Sequence, residues 1–202
     1  MSQKKVKMHV TGMGGQGIGL TTRVLAVAAE IAGLNAMTME THGLAQRGGI
    51  VDSDLVINYD PSESPQCADG EADVIIALEA LEGLRAMQKL KKNGIAIINT
   101  TKYQPLAVRV SKGKTSYPSI EEITNELRKV TNKILMVSAQ EDARKLGMSQ
   151  VMNMILIGAL VSNTEILPIT KEQIESAIKT ILPPKYHKVN LKAFQKGLSY
   201  KF

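Results

Sequence analysis

The chain has 202 residues, 44% of them hydrophobic and 22% charged, which suits one domain spanning residues 1–202. With no Trp, two Phe and five Tyr its core has to be aliphatic, and its one cysteine, Cys67, excludes an intramolecular disulfide and a cluster held by four thiolates of this chain. The net charge is +6, and the three histidines (His9, His42, His187) are too scattered for a metal site, so any metal or redox centre has to be borrowed from a partner.

No apolar stretch approaches the ~20 residues that cross a bilayer, so no membrane association is expected. Met1 to Lys5 lacks the apolar core of a signal peptide, which makes the cytoplasm the expected location. In chain order, Val6, Met8 and Val10 alternate with polar residues between Lys5 and Thr11, the period of a first strand. Ile18 to Ala32 carries apolar residues at helical spacing and closes on Gly33. A second strand over Ala36–Glu40, a loop holding Gly43, Gly48 and Gly49, and a third strand over Val51–Asn58 follow. Asp60-Pro61 and the Ser/Pro/Gly-rich stretch to Gly70 read as a surface loop.

Ala72–Leu78 is almost wholly apolar, as in a strand covered on both faces. The pattern then predicts a helix over Glu79–Lys92 ended by Asn93-Gly94, and a strand over Ile95–Asn99. Further strands are predicted at Leu106–Val110 and Ile134–Val137, with an amphipathic helix between Ser119 and Val130 whose Ser119 and Glu122 fit a capping box. Beyond Ala139 the chain reads as helices at Gln140–Leu146, Ser149–Ser162, Thr170–Ile181 and Leu191–Leu198. The fold class is therefore α/β: a doubly wound, mostly parallel, Rossmann-like sheet followed by a helical C-terminal layer.

Gly12, Gly14 and Gly17 satisfy G-x-G-x-x-G between a strand and a helix, and Gly15 and Gln16 make the run more specific. Such a turn lets a backbone approach a ligand closely, and the helix start offers free N–H groups to a phosphate, a carboxylate or a partner's carbonyls. Glu40 falls where an acid would meet a ribose hydroxyl, so a free-standing NAD- or FAD-binding oxidoreductase is one reading. A metabolite-sensing module is another, and a close strand–helix crossing without a ligand is a third.

A second loop, His42-Gly43-Leu44-Ala45-Gln46-Arg47-Gly48-Gly49, follows the second strand. The first two strands are expected to be neighbours, and since the carboxyl ends of adjacent strands face one crevice, the two glycine loops are expected to lie together. Arg47 suits a carboxylate or phosphate, and His42 can donate a hydrogen bond or move a proton.

These two motifs, in this order, resemble the gamma-type subunit or domain of the 2-oxoacid:ferredoxin oxidoreductases, and most of all the indolepyruvate type. Asn153 and Gly158, then Asn190, Ala193, Phe194 and Gly197, extend the resemblance over nearly the whole chain. His42 stands where pyruvate and 2-oxoglutarate relatives tend to carry Tyr, and Ala45-Gln46 before Arg47 is similar to the indolepyruvate type. The resemblance implies an enzyme that oxidatively decarboxylates aryl-2-oxoacids to acyl-CoA and reduces ferredoxin. It implies a larger alpha subunit holding thiamine diphosphate, Mg and 4Fe-4S clusters, with this chain inactive alone and coenzyme A as co-substrate. The expected site here is His42 and Arg47 in a supporting role, with Gly12, Gly14, Gly15, Gln16, Gly17, Gln46, Gly48 and Gly49 toward the cofactor, and no metal.

Other features are weaker pointers. Pro183 to Phe202 carries five lysines and no acid, either a patch for an acidic partner or a solvated face. Nucleic acid is not expected there, since the tail has no Arg and few aromatics. Met148, Met152 and Met154 read as core or interface, and Cys67 as an incidental thiol in a polar loop. Asp52 and Asp54 are read as partners of Arg47 or turn caps, and Pro183-Pro184 as a rigid turn presenting Lys185, Tyr186, His187 and Lys188.

Overall fold

Val6, Met8 and Val10 are fully buried on one face of the first strand, β1 (Val6–Met13), as their alternation requires. The structure, a computed structural model, describes residues 5–42, 49–103 and 117–202. Besides β1 it contains β2 (Ala36–His42), β3 (Ile50–Ile57), β4 (Ala72–Ala77), β5 (Leu90–Asn99) and β6 (Lys133–Val137), in the spatial order β2-β3-β1-β4-β5-β6. The helices are α1 (Ile18–Ile31), α2 (Ala80–Arg85), α3 (Ile120–Leu127), α4 (Ala139–Lys145), α5 (Met152–Val161), α6 (Lys171–Ile181) and α7 (Pro184–Leu198).

The sheet is mostly parallel with one exception. β1, β4, β5 and β6 pair in parallel, whereas β3 runs antiparallel to both β1 and β2. The connection from β2 to β3 is too short for a crossover, so the two form a hairpin, and β3 comes to lie between β2 and β1. The expectation that the first two strands are neighbours is corrected accordingly.

Helices cover both faces. On one, Met8, Val10, Leu55, Val74, Ile76 and Ile97 pack with α1, α5, α6 and α7; on the other, Ile75, Ala77, Ala96 and Ile98 pack with α2 and α3. In α5 every residue from Met152 to Leu160 is buried, because it is sandwiched between the sheet and α7. Two glycines allow that sandwich: a Cβ on Gly158 would stand 2.2 Å from the Phe194 carbonyl oxygen, and one on Gly197 would stand 2.1 Å from that of Ile155.

Two element predictions are corrected. The helix predicted over Glu79–Lys92 stops at Arg85, tightens into a 3-10 turn (Ala86–Lys89) and gives way to β5 at Leu90. Leu90 pairs with Ala72, and Asn93, at φ 62°, sits where the register shifts before Ile95 pairs with Val74. The last helix starts at Pro184, not Leu191, so Lys185 to Lys188 lie on its first turns. The predicted strand Leu106–Val110 lies outside the described residues. The capping box of Ser119 and Glu122 at α3 is present, and Thr170 with Gln173 forms another at α6.

Candidate functional site

β1 leads into α1 on one face of the sheet and β4 leads into α2 on the other, so the sheet's winding switches between these adjacent strands. Open α/β sheets bind ligands in the crevice at that point, beyond the carboxyl ends of the strands. Here the two ends are joined by the Leu78 N–H, which donates to the Thr11 carbonyl at 2.8 Å.

The glycine turn caps β1. Gln16 donates its backbone N–H to the Met13 carbonyl (3.1 Å), and its side-chain Oε1 accepts from the Met13 N–H (2.7 Å). A Cβ at Gly12 would lie 2.7 Å from that Oε1, so glycine is what lets Gln16 fold over the turn. Gly15 and Gly17 take φ of 94° and 88°, which side chains rarely adopt. Gly17 caps α1 with no side-chain hydrogen bond, and a Cβ there would lie 2.9 Å from Asn153 Nδ2.

The second glycine loop does reach this turn: Gly14 donates to the Gly49 carbonyl at 2.9 Å. His42 ends β2 opposite Val51, and Val51 pairs in turn with Gly12. Gln46, Arg47 and Gly48, and the His42 side chain, lie outside the described residues. Glu40 packs against the first turn of α1, its Oε2 2.8 Å from where a Gly19 Cβ would be. In a dinucleotide site the acid ends the strand adjacent to β1; here β3 stands between, so the frame differs from the NAD-binding one.

Two buried polar centres, one around His9 and one around Glu79, were not read as such from the sequence. His9 Nδ1 lies 2.6 Å from Asp54 Oδ1 and its Nε2 lies 3.6 Å from Asp52 Oδ1, while Thr11 donates to Asp52 at 2.6 Å. Burial works against a charged His9 ring, but the hydrogen bonds to Asp52 and Asp54 outweigh it and raise the His9 pKa. Burial likewise opposes a charged Asp52, yet the bonds from His9 and Thr11 hold its pKa below the ordinary value. His9, Thr11 and Asp52 line a cavity of about 130 Å³ that also takes in Glu82, Arg85 and Lys89.

Cys67 closes the same cluster. It is 2% exposed, its N–H donates to Asp54 Oδ2 at 3.1 Å, and burial pushes its thiol up to about 12. The loop thiol of the sequence reading is therefore a buried, unreactive one. The second centre is Glu79, 1% exposed, whose carboxylate accepts from the backbone of Glu82 (3.0 Å) and Tyr103 (2.9 Å) and from the Tyr117 hydroxyl. The lysines of the C-terminal segment are partly engaged within the chain: Lys196 lies 3.5 Å from Asp142, and Lys201 donates to the Ser162 carbonyl at 2.8 Å. Among the described residues no three His, Cys, Asp or Glu side chains are grouped to hold a metal, and no helix is long and apolar enough to cross a membrane.

A glycine turn at the switch point, tied to a second glycine loop and backed by a buried apolar helix, frames a crevice of the kind in which open α/β sheets bind ligands. The chain belongs to the pyruvate ferredoxin/flavodoxin oxidoreductase family, which it matches over residues 7–200. Its relatives include the indolepyruvate oxidoreductase subunit IorB of Archaeoglobus fulgidus, 40% identical over 96% of this chain and 94% of that one. The IorB subunit of Pyrococcus horikoshii is 37% identical over 96% and 95%. The 2-oxoglutarate synthase subunit KorC of Methanothermobacter thermautotrophicus is 30% identical over 98% and 95%. The fold is that of the pyruvate oxidoreductase subunit PORC of Thermotoga maritima (TM-score 0.70, 23% identity, 98% of this chain and 97% of that one). The resemblance drawn from the two glycine motifs is thus borne out at the level of family, fold and enzyme class.

Proposed function

We propose that the chain is the small subunit of an indolepyruvate-type oxidoreductase that converts aryl-2-oxoacids and coenzyme A to acyl-CoA and carbon dioxide, passing two electrons to ferredoxin. The observation that carries this reading is the gradient of identity: four IorB subunits stand at 33–40%, and the KorC subunits at 25–30%.

In this reading a larger alpha subunit holds thiamine diphosphate, Mg and the 4Fe-4S clusters, which supply carbanion stabilisation and electron transfer. The donor set of this chain supports that division, since its one thiol is buried Cys67 and cannot ligate a cluster. The small subunit finishes the crevice. The Gly12–Gly17 turn and the Gln46–Gly49 segment face an anionic group of coenzyme A or the oxoacid, Arg47 clamps that group, and His42 stands beside it. The complex works in the cytoplasm, where ferredoxin is reduced.

Co-expression with the large subunit tests the assignment. A stable complex that reduces viologen with an aryl-2-oxoacid and coenzyme A, with neither chain active alone, is the expected result. Failure to associate, or turnover by this chain alone, overturns it.

A further inference from the structure

Helix α7 carries its charge on one face. Lys185, Lys188, Lys192 and Lys196 recur at helical spacing and are all exposed, forming a line of about 16 Å along the helix. The opposite face, with Ala193, Phe194 and Gly197, is buried and packs on α5. Among the described residues, Lys196 alone of the four has an acid within ion-pair distance, Asp142 at 3.5 Å. That carboxylate already accepts from the Tyr200 hydroxyl at 2.7 Å.

This arrangement works against the helix. Lys188 with Lys192, and Lys192 with Lys196, are like charges one turn apart. Lys185 lies in a first turn that holds no acid, where the positive end of the dipole opposes a cation. A face that met only solvent would be more stable with mixed signs. The stripe is therefore suited to an acidic surface that neutralises it.

At the start of the stripe the surface turns apolar. Tyr186 is exposed, with Lys185 Nζ 4.9 Å from its ring centroid, and it lines a cavity of about 250 Å³ with Met148, Val151 and Leu182. An apolar pocket edged by charge has the anatomy of a protein–protein interface, in which an anchoring side chain fills the pocket and a polar rim surrounds it. A membrane is a poorer partner, because the apolar face that α7 would insert is already buried on α5. An electron carrier has to approach a redox centre, and the one thiol of this chain is buried Cys67.

We infer that this face of α7, with the pocket beside Tyr186, is where the large subunit docks, through an acidic segment that lays carboxylates along the lysines and one large apolar side chain in the pocket. The inference rests on the reading above that such a subunit exists. The test is sedimentation of the full chain co-expressed with the large subunit, at salt from about 0.05 to 0.5 M, which shortens the reach of exposed charges severalfold. The complex should weaken steadily as salt rises.

Replacing Lys185, Lys188 and Lys192 together by Glu sets like charges against the acidic segment and should weaken the complex about a hundredfold or more. The same change relieves repulsion along α7 and places an acid in its first turn, so the Tm of the isolated chain should hold or rise. Tyr186→Ala should weaken the complex roughly tenfold or more at every salt concentration. Association indifferent to salt, or undiminished in both variants, would overturn the site. So would an intact variant complex whose only defect is a raised KM for ferredoxin, which would give the stripe to the electron carrier. Undiminished association with oxoacid turnover intact removes the site and leaves the functional reading standing; a wild-type chain that never associates with the large subunit sinks both.

Discussion

Gly14 gives its backbone N–H to the Gly49 carbonyl at 2.9 Å, and that bond fastens the glycine turn after β1 to the start of β3, the neighbouring strand. The two glycines, 35 residues apart in sequence, thereby tie the two motifs into one unit at the switch point of the sheet. The turn keeps its shape because Gln16 folds across Gly12. Gly12→Ala sets a methyl 2.7 Å from Gln16 Oε1 and 3.0 Å from Leu78 Cβ. It should cost about 1–3 kcal/mol of stability and raise the KM for coenzyme A or oxoacid in the assembled enzyme. Denaturation of the chain and steady-state kinetics of the complex measure the two effects.

Arg47→Ala tests the second half of that unit. Loss of a charge-assisted contact worth about 1.5–3 kcal/mol should raise the KM for coenzyme A or the oxoacid roughly tenfold or more, with kcat less affected. Unchanged kinetics would remove Arg47 from the site.

Gly158→Ala or Gly197→Ala forces α5 and α7 apart, since the new methyl meets a carbonyl oxygen at 2.2 or 2.1 Å. Overpacking a backbone-to-backbone crossing has no flexible side chain to yield, so a loss of about 3 kcal/mol or more is expected in urea denaturation.

His9 and Asp52 give the stability a pH signature. The folded His9 pKa lies above its ordinary 6.5, so its contribution is complete below 6.5 and is lost as pH rises through the raised value. The folded Asp52 pKa lies below its ordinary 3.8, so its contribution is complete above 3.8 and is lost as pH falls further. The pair should therefore stabilise most between roughly pH 4 and 6.5. Replacing His9 by Gln should flatten the decline above neutrality, as followed by denaturant midpoints across pH 5 to 9.

Glu79→Gln turns one carboxylate oxygen into an NH₂ facing the donors of Glu82, Tyr103 or Tyr117. One buried donor then loses its acceptor, and a loss of about 2 kcal/mol is expected in the same measurement.

Much of this architecture was legible in the sequence, because strands and helices alternate at their own periods and glycine punctuates their ends. What escaped was set by pairing across the sheet. Leu81, Leu84, Met87 and Leu90 continue a helical spacing, yet Leu90 is claimed by Ala72 of the neighbouring strand. The alternation along β1 says nothing of what its polar residues meet, and register puts His9 opposite Asp54 and buries both. The brief link between β2 and β3 was a usable signal for a hairpin. Nothing local in the sequence marks the unpaired Nδ2 of Asn153, which is buried against Gly17 of a distant turn.

The central claim is the substrate class. The most direct measurement is viologen reduction by the co-expressed complex with indolepyruvate, phenylpyruvate, pyruvate and 2-oxoglutarate, each with coenzyme A. The account predicts the highest kcat/KM for indolepyruvate, phenylpyruvate next, and little turnover of the other two; preference for pyruvate or 2-oxoglutarate would contradict it.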